Sequence, residues 1–241
     1  PRKIEEGRLD EIRECIGCNI CYAHNSLNAP IRCTQNPTMG EEWRRNWHPE
    51  IIPAAQDRRR VLVVGAGPAG LEAARALGQR GFDVLLAERE RRLGGRINLE
   101  SALPGFSEWA RVRDWRESQL AKLPNVEIFR ESTMTAESVL ELGAAHVVIA
   151  TGARWRTDGF GRATPVPPIR AAFPNLHAPE DIIRGASPEG TILVYDDERY
   201  VMASALALKL LAAGRRVIYA TPAPIVSEWT SHTNEQPAIQ A

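Results

Sequence analysis

Apolar and polar positions along the chain fall into blocks that predict strand, helix, strand. Val61-Leu62-Val63-Val64 is an unbroken apolar run of strand length, the pattern of a parallel strand covered on both faces. Residues 71 to 78 (Leu-Glu-Ala-Ala-Arg-Ala-Leu-Gly) predict a helix stopped at Gly81, and Asp83 to Glu88 predict a second strand. Trp109, Val112, Trp115, Leu120 and Leu123 then recur at mostly helical spacing within residues 105 to 123. Asn125 to Phe129 alternates as a strand, and Val147-Val148-Ile149 predicts another. The rhythm restarts with a strand at Thr191 to Tyr195, a helix from Val201 and a strand at Arg216 to Ala220. The expected fold class is α/β, with two Rossmann-like three-layer units of FAD/NAD(P)-binding type.

The first 57 residues lack this rhythm. Ile4, Leu9 and Ile12 predict a short helix within residues 1 to 14, and Asn25 to Pro30 is turn-rich. The stretch after Cys33 is irregular and rich in aromatic and cationic groups. Trp43 and Trp47 are expected as packing anchors and His48 as a hydrogen-bonded structural residue. Gln56 to Arg60 reads as a basic linker, and residues 154 to 188, rich in Pro, Gly and Arg, as an inter-domain connection. The expected domains are a cysteine segment (1–57), a nucleotide-binding domain (58–160), a linker (161–188) and a second unit (189–241).

Composition narrows the partners. Thirty basic and thirty acidic residues cancel, so the chain as a whole favours neither nucleic acid nor an anionic membrane. The longest apolar helix candidate, Tyr200 to Ala213, is too short to span a bilayer and contains Lys209.

All four cysteines fall within nineteen positions: Cys15, Cys18, Cys21 and Cys33, spaced C-x2-C-x2-C-x11-C. Three sulfurs converging from one tight loop with a fourth returning from further along is how a cubane 4Fe-4S cluster is held. A zinc site also takes four thiolates, though usually from two separated C-x2-C pairs. Disulfides across two-residue gaps would be strained.

Gly65-Ala66-Gly67-Pro68-Ala69-Gly70 sits between the first predicted strand and its helix, the context in which G-x-G-x-x-G binds a dinucleotide. Glu88, at the end of the second strand, is placed to accept from an adenosine ribose. With Arg89, Gly94, Gly95 and Arg96 after it, and Thr151 and Gly152 ending a later strand, these are the candidate cofactor-binding residues. In the second unit the corresponding turn is Asp196-Asp197-Glu198-Arg199-Tyr200. Three carboxylates would repel a pyrophosphate and side chains would obstruct its approach, so NAD(P)H is not expected there.

Taken together, these stretches resemble the iron–sulfur flavoprotein family of trimethylamine, dimethylamine and histamine dehydrogenases and related N-demethylases, within the 2,4-dienoyl-CoA reductase superfamily. The resemblance is carried by Cys15-Ile-Gly-Cys-Asn-Ile-Cys21 with Cys33, residues 40 to 50, Gly65 to Gly70, Leu93 to Arg96, Ala150 to Gly159, Val194 to Asp197 and Ser227 to Thr230. It implies a TIM barrel with FMN and the amine site ahead of the cysteines, so the 241 residues are expected to be an internal fragment, with Arg2 to Arg13 the barrel's tail and the segment completing the nucleotide domain absent. FMN would oxidise a methylated amine to an iminium that hydrolyses to the demethylated amine and an aldehyde. Electrons would leave singly through a cluster on Cys15, Cys18, Cys21 and Cys33 to an electron-transferring flavoprotein.

The resemblance also implies ADP, or else FAD, at Gly65 to Gly70, a homodimer or hetero-oligomer, a cytoplasmic location and no catalytic residue in this stretch. Family reductases have one more residue between the second and third cysteines and an intact second glycine turn for NADPH. An NADPH-dependent dienoyl-CoA or enoate-type reductase and a non-catalytic electron-transfer subunit with a structural ADP are the alternatives.

Overall fold

A computed structural model of the chain describes residues 2–44, 51–56, 58–166 and 175–231; Trp47 and His48 lie outside these. In chain order the described elements are α1 (Arg2–Glu5), α2 (Ile20–Ser26), β1 (Arg60–Val64), α3 (Pro68–Arg80), β2 (Asp83–Ala87), α4 (Ile97–Glu100), α5 (Arg111–Leu120), β3 (Val126–Phe129), α6 (Ala136–Glu141), β4 (His146–Ile149), α7 (Pro179–Ile183), β5 (Thr191–Tyr195), α8 (Met202–Ala212) and β6 (Arg216–Ala220). They form two compact units, one of residues 1–18, 33–98 and 108–153, the other of residues 19–32, 99–107 and 154–241.

The first unit is built on a parallel sheet of order β3-β2-β1-β4, with Val63 opposite Leu86 on one side and Val148 on the other. Its central strands are apolar throughout because both faces are covered. Val63, Val84 and Leu86 meet Leu71 and Ala74 of α3 and Leu120 of α5 on one face. Leu62, Leu85 and Ala87 meet Met134, Val139 and Ala144 on the other. Val63, Leu71 and Leu86 are fully buried, each contributing about 1.5–3 kcal/mol of apolar burial. Helix α3 starts with Pro68 in its first turn and ends at Gly81, whose φ of +93° lets its N–H reach back to the last carbonyls.

The second unit repeats strand, helix, strand in smaller form. β5 pairs in parallel with β6, and Ile192, Val194 and Val217 pack with Met202, Leu206 and Leu210 of α8 and with Leu103 and Ile182. The opposite face of these strands leaves Leu193, Tyr195 and Ile218 exposed.

One expectation narrows and three change. The short N-terminal helix is confined to α1 because Gly7 turns at φ +71°, and Ile4 and Leu9 are each 60% exposed. The stretch after Cys18 begins with α2 instead of a loop, and His24 Nδ1 lies 3.0 Å from the Pro30 carbonyl as the chain turns back. The connection before the second unit contains α7, held at its start by Pro179 and by Asp181, which accepts the Ala178 N–H at 2.9 Å. Trp43 is 75% exposed beneath the Arg44 guanidinium and anchors no core.

Candidate functional site

The strand order of the first sheet reverses between β1 and β4, and ligands of such sheets bind at the carboxyl ends of the strands flanking that point. Gly65 follows β1, and Ala150-Thr151-Gly152 follows β4. The three turn glycines do different work. Gly65 turns at φ +96°, and a Cβ there would lie 2.4 Å from the Ala150 carbonyl oxygen. A Cβ on Gly70 would lie 1.8 Å from the Gly65 oxygen, so this glycine allows the helix to start against the strand. Gly67 has no heavy atom within 4 Å of where its Cβ would stand. Space is left there for something other than protein.

Gly67 is also the N-cap of α3, and no side chain caps it. The first N–H groups of a thirteen-residue helix, with the positive end of its dipole, therefore face that space. The rest of the candidate set shapes the rim. Gly95 sits with its would-be Cβ 3.2 Å from the Gly67 Cα, and Gly94 donates to the Ala66 carbonyl at 2.8 Å. Arg96 donates to the Ala153 carbonyl at 2.6 Å, which ties the Leu-Gly-Gly-Arg turn to the end of β4. Thr151 and Gly152 are exposed beside it, and Arg89 lies outside, paired with Glu90 at 3.3 Å.

Glu88 is buried, 6% exposed, and its two oxygens accept the N–H of Ala66 at 2.7 Å and of Glu90 at 3.0 Å. It fastens the glycine turn to the end of β2, leaving one further lone pair on each oxygen.

The second unit has the same turn, occupied differently. Gly65 N–H donates to Ala87 at 2.8 Å across the first sheet, and Asp196 N–H donates to Ala220 at 2.8 Å across the second. Asp196 thus takes the place of the first glycine. It is 2% exposed, accepting from Arg199 N–H at 2.8 Å and from the Tyr219 hydroxyl at 2.7 Å. Burial, reinforced by Asp196, pushes the Tyr219 hydroxyl up to about 12. Asp197 accepts the N–H groups of Arg162 and Ala163. Glu198 accepts Met202 N–H at 3.0 Å and so caps α8; burial raises its carboxyl. Asp196 and Glu198 thus accept N–H groups of the turn and of the helix start, while Asp197 reaches the segment at Arg162 and Ala163.

The four cysteines are free thiols; Cys15 is exposed and Cys18, Cys21 and Cys33 are half-buried. Gly17 N–H points at the Cys15 sulfur at 3.4 Å, and Cys18 Sγ lies 3.3 Å from the Thr34 hydroxyl. Ile16 between them is buried with Ile97 and Val112. Among the described residues no three Cys, His, Asp or Glu side chains are gathered closely enough to hold a metal ion. Two buried polar residues that no spacing singles out, Gln35 and Arg116, lie on the far side of Cys33 in sequence.

The family model for pyridine nucleotide-disulphide oxidoreductases matches residues 59–164. The dimethylamine dehydrogenase of Hyphomicrobium sp. (strain x) is 44% identical over 230 residues, which is 92% of this chain and 31% of that protein. The solved structure of 6-hydroxypseudooxynicotine amine oxidase from Pseudomonas geniculata N1 matches all of the chain with a TM-score of 0.93 and 45% identity. Histamine dehydrogenase from Rhizobium sp. 4-9 does so with a TM-score of 0.88 and 48% identity. The chain covers 36% and 35% of those two chains, so it spans about a third of the length of the relatives it matches.

Proposed function

Starting from a chain that is a close homologue of dimethylamine dehydrogenase and histamine dehydrogenase over about a third of their length, we propose that it is the electron-carrying portion of an oxidoreductase that oxidises a methylated amine. The observation that carries this reading is the contrast between the two strand–helix turns. The first leaves Gly67 and an uncapped helix end open to a phosphate, while at the second Asp196 stands in the glycine's place and Glu198 accepts the first N–H of the helix. A nucleotide is held at the first turn, and no NAD(P)H delivers electrons at the second. The cysteine loop is then an exit for electrons from a flavin elsewhere in the polypeptide.

Cys15, Cys18, Cys21 and Cys33 are the proposed ligands of a 4Fe-4S cluster, which when bound passes electrons one at a time. The donor set fits in kind: four thiols free of disulfides, which a cluster binds on separate irons and not on one ion, with Gly17 N–H directed at the first sulfur and the Thr34 hydroxyl 3.3 Å from the second. A donor aimed at sulfur favours its negative charge, and the buried Ile16 anchors the loop between the first two cysteines. Gly65 to Gly70 hold ADP, in a structural capacity, or FAD, with the helix end facing the pyrophosphate and Glu88 near the ribose. FMN and the amine site belong to the barrel that the relatives' greater length accommodates, and an electron-transferring flavoprotein is the acceptor.

Cofactor extraction from the full-length protein tests this, with about four irons per chain and matching acid-labile sulfide expected. Zinc in place of iron would remove the cluster. Replacing Cys18 with serine should leave flavin reduction by the amine intact and abolish onward transfer. Rapid flavin bleaching by NADPH would overturn the amine reading.

A further inference from the structure

Gln35 lies two residues beyond Cys33 and is 3% exposed. Its side-chain amide donates to the Glu14 carbonyl at 3.2 Å and accepts from Arg116 Nη1 at 2.9 Å. Its main-chain carbonyl accepts from Arg116 Nη2 at 3.0 Å and from Arg13 Nη1 at 2.9 Å. Glu14 immediately precedes Cys15. One glutamine therefore joins the chain just before the first cysteine to the chain just after the last.

Arg116, on α5, holds that glutamine in place. Its side chain is 3% exposed: Nη1 and Nη2 donate to Gln35, Nη1 also to the Val112 carbonyl at 2.9 Å, while Nε lies 2.8 Å from the Glu72 carboxylate of α3 as an ion pair without hydrogen-bond geometry. Glu72 also pairs with Arg75 at 2.5 Å and Arg13 at 3.3 Å. A buried ion pair of this kind is often no more stable than apolar side chains of the same volume, so packing alone gives no reason for an arginine here. Its hydrogen bonds define a purpose, since two of them end on Gln35. Arg116 is also within electrostatic reach of Cys33.

We propose that Gln35 and Arg116 are positioning residues for the iron–sulfur cluster, a clasp that fixes the separation of the two ends of the cysteine loop. The inference rests on the reading of the four cysteines as cluster ligands. The clasp slows cluster loss because the outer ligands stay in place when one iron–sulfur bond opens. Within electrostatic reach of Cys33, the Arg116 charge favours the reduced, more negative cluster, an effect that its partner Glu72 reduces.

The test uses the full-length holoprotein and its Gln35→Leu, Arg116→Met and Gln119→Leu variants. Gln119 is the control: a buried amide on the same helix that donates to the Asp10 carbonyl at 2.9 Å but joins no two ends of the loop. Iron release to a ferrous chelator is followed by absorbance, the cluster potential by redox titration with EPR detection, and the fold by melting temperature and adenine nucleotide content. Gln35→Leu and Arg116→Met should release iron at least tenfold faster than the parent, and Gln119→Leu at the parent's rate. The potential should fall in Arg116→Met more than in Gln35→Leu, which keeps the cation. Release at the parent's rate from both clasp variants would overturn the proposal, as would equal acceleration in Gln119→Leu. If Arg116→Met does not fold, Gln35→Leu against Gln119→Leu decides. A parent protein without iron would remove the cluster reading and the clasp with it.

Discussion

Replacing Gly67 with alanine should empty the nucleotide site and leave the fold in place, whereas the same change at Gly70 should damage the fold itself. At Gly67 the backbone has a φ of −69° and nothing lies within 4 Å of the added methyl, so no steric cost arises. Alanine is a poorer N-cap than glycine by roughly 0.5–1 kcal/mol, and the stiffer unfolded chain returns about 0.4–1 kcal/mol. The net change in stability is about zero. The methyl would nevertheless stand between a pyrophosphate bound as proposed and the first N–H groups of α3. A hydrogen bond to a charged group contributes about 1.5–3 kcal/mol, so losing one or two costs roughly 3 kcal/mol, more than a hundredfold in Kd. At Gly70 the methyl would be 1.8 Å from the Gly65 oxygen and 2.9 Å from its carbon, both backbone atoms that move only with β1. Overpacking of that kind costs about 1–3 kcal/mol or more. Adenine nucleotide extracted per chain, calorimetric titration of the stripped protein with ADP, and urea midpoints separate the two effects. Parent-like ADP affinity in Gly67→Ala, or a loss of stability there as large as in Gly70→Ala, would refute the assignment of that space to a phosphate.

Glu72→Gln should lower stability by about 3 kcal/mol at neutral pH, the usual loss when a buried pair keeps only one charge. Burial raises the Glu72 carboxyl, but Arg75, Arg116 and Arg13 outweigh it and hold the group below 4.5. Its contribution is therefore present above that pH and lost as pH falls through the lower folded value, so parent and variant should converge in acid when compared by denaturant unfolding. Tyr219 has the opposite sign. Its proton is held up to about 12 in the folded chain against 10.0 ordinarily, so the stability it adds is intact below pH 10 and disappears as pH rises towards 12. Tyr219→Phe should flatten urea-unfolding stability across that window relative to the parent, and an unchanged slope would assign the effect to another group. Asp197→Ala frees the N–H groups of Arg162 and Ala163, bonds to a charged acceptor worth about 1.5–3 kcal/mol each. Limited proteolysis should then cut near residue 162 sooner, with adenine nucleotide content unchanged.

The first sheet was readable in advance where local pattern and burial have one cause. Val61 to Val64 is apolar at every position because β2 and β4 flank it and helices cover both faces, and Pro68 and Gly81 bound α3 through backbone constraints of their own. Pattern failed where structure is too short to show a period. Helix α2 has seven residues and starts from Asn19 at φ +56°, which no spacing announces. It also could not reach Gln35 and Arg116, 81 positions apart, whose meaning lies only in their hydrogen bonds.

The acidic second turn is the instructive intermediate. Three consecutive carboxylates predict repulsion of a pyrophosphate, which is a statement about charge in solution. In the fold the carboxylates are already engaged: Asp196 with Arg199 N–H, Asp197 with Ala163 N–H and Glu198 with Met202 N–H. A phosphate would have to displace them before it could be repelled by them. The distinction has consequences, because repulsion weakens with salt while an internal cap does not. Gly65 and Asp196 make the same strand-crossing hydrogen bond in their own units, and neither helix has a side-chain bond from its N-cap residue, yet the first N–H of α8 is accepted by Glu198. A helix N-terminus has to be satisfied by something. In the proposed reading the first is left for a nucleotide while Glu198 occupies the start of the second, so high salt should restore no NAD(P)H binding at the second turn.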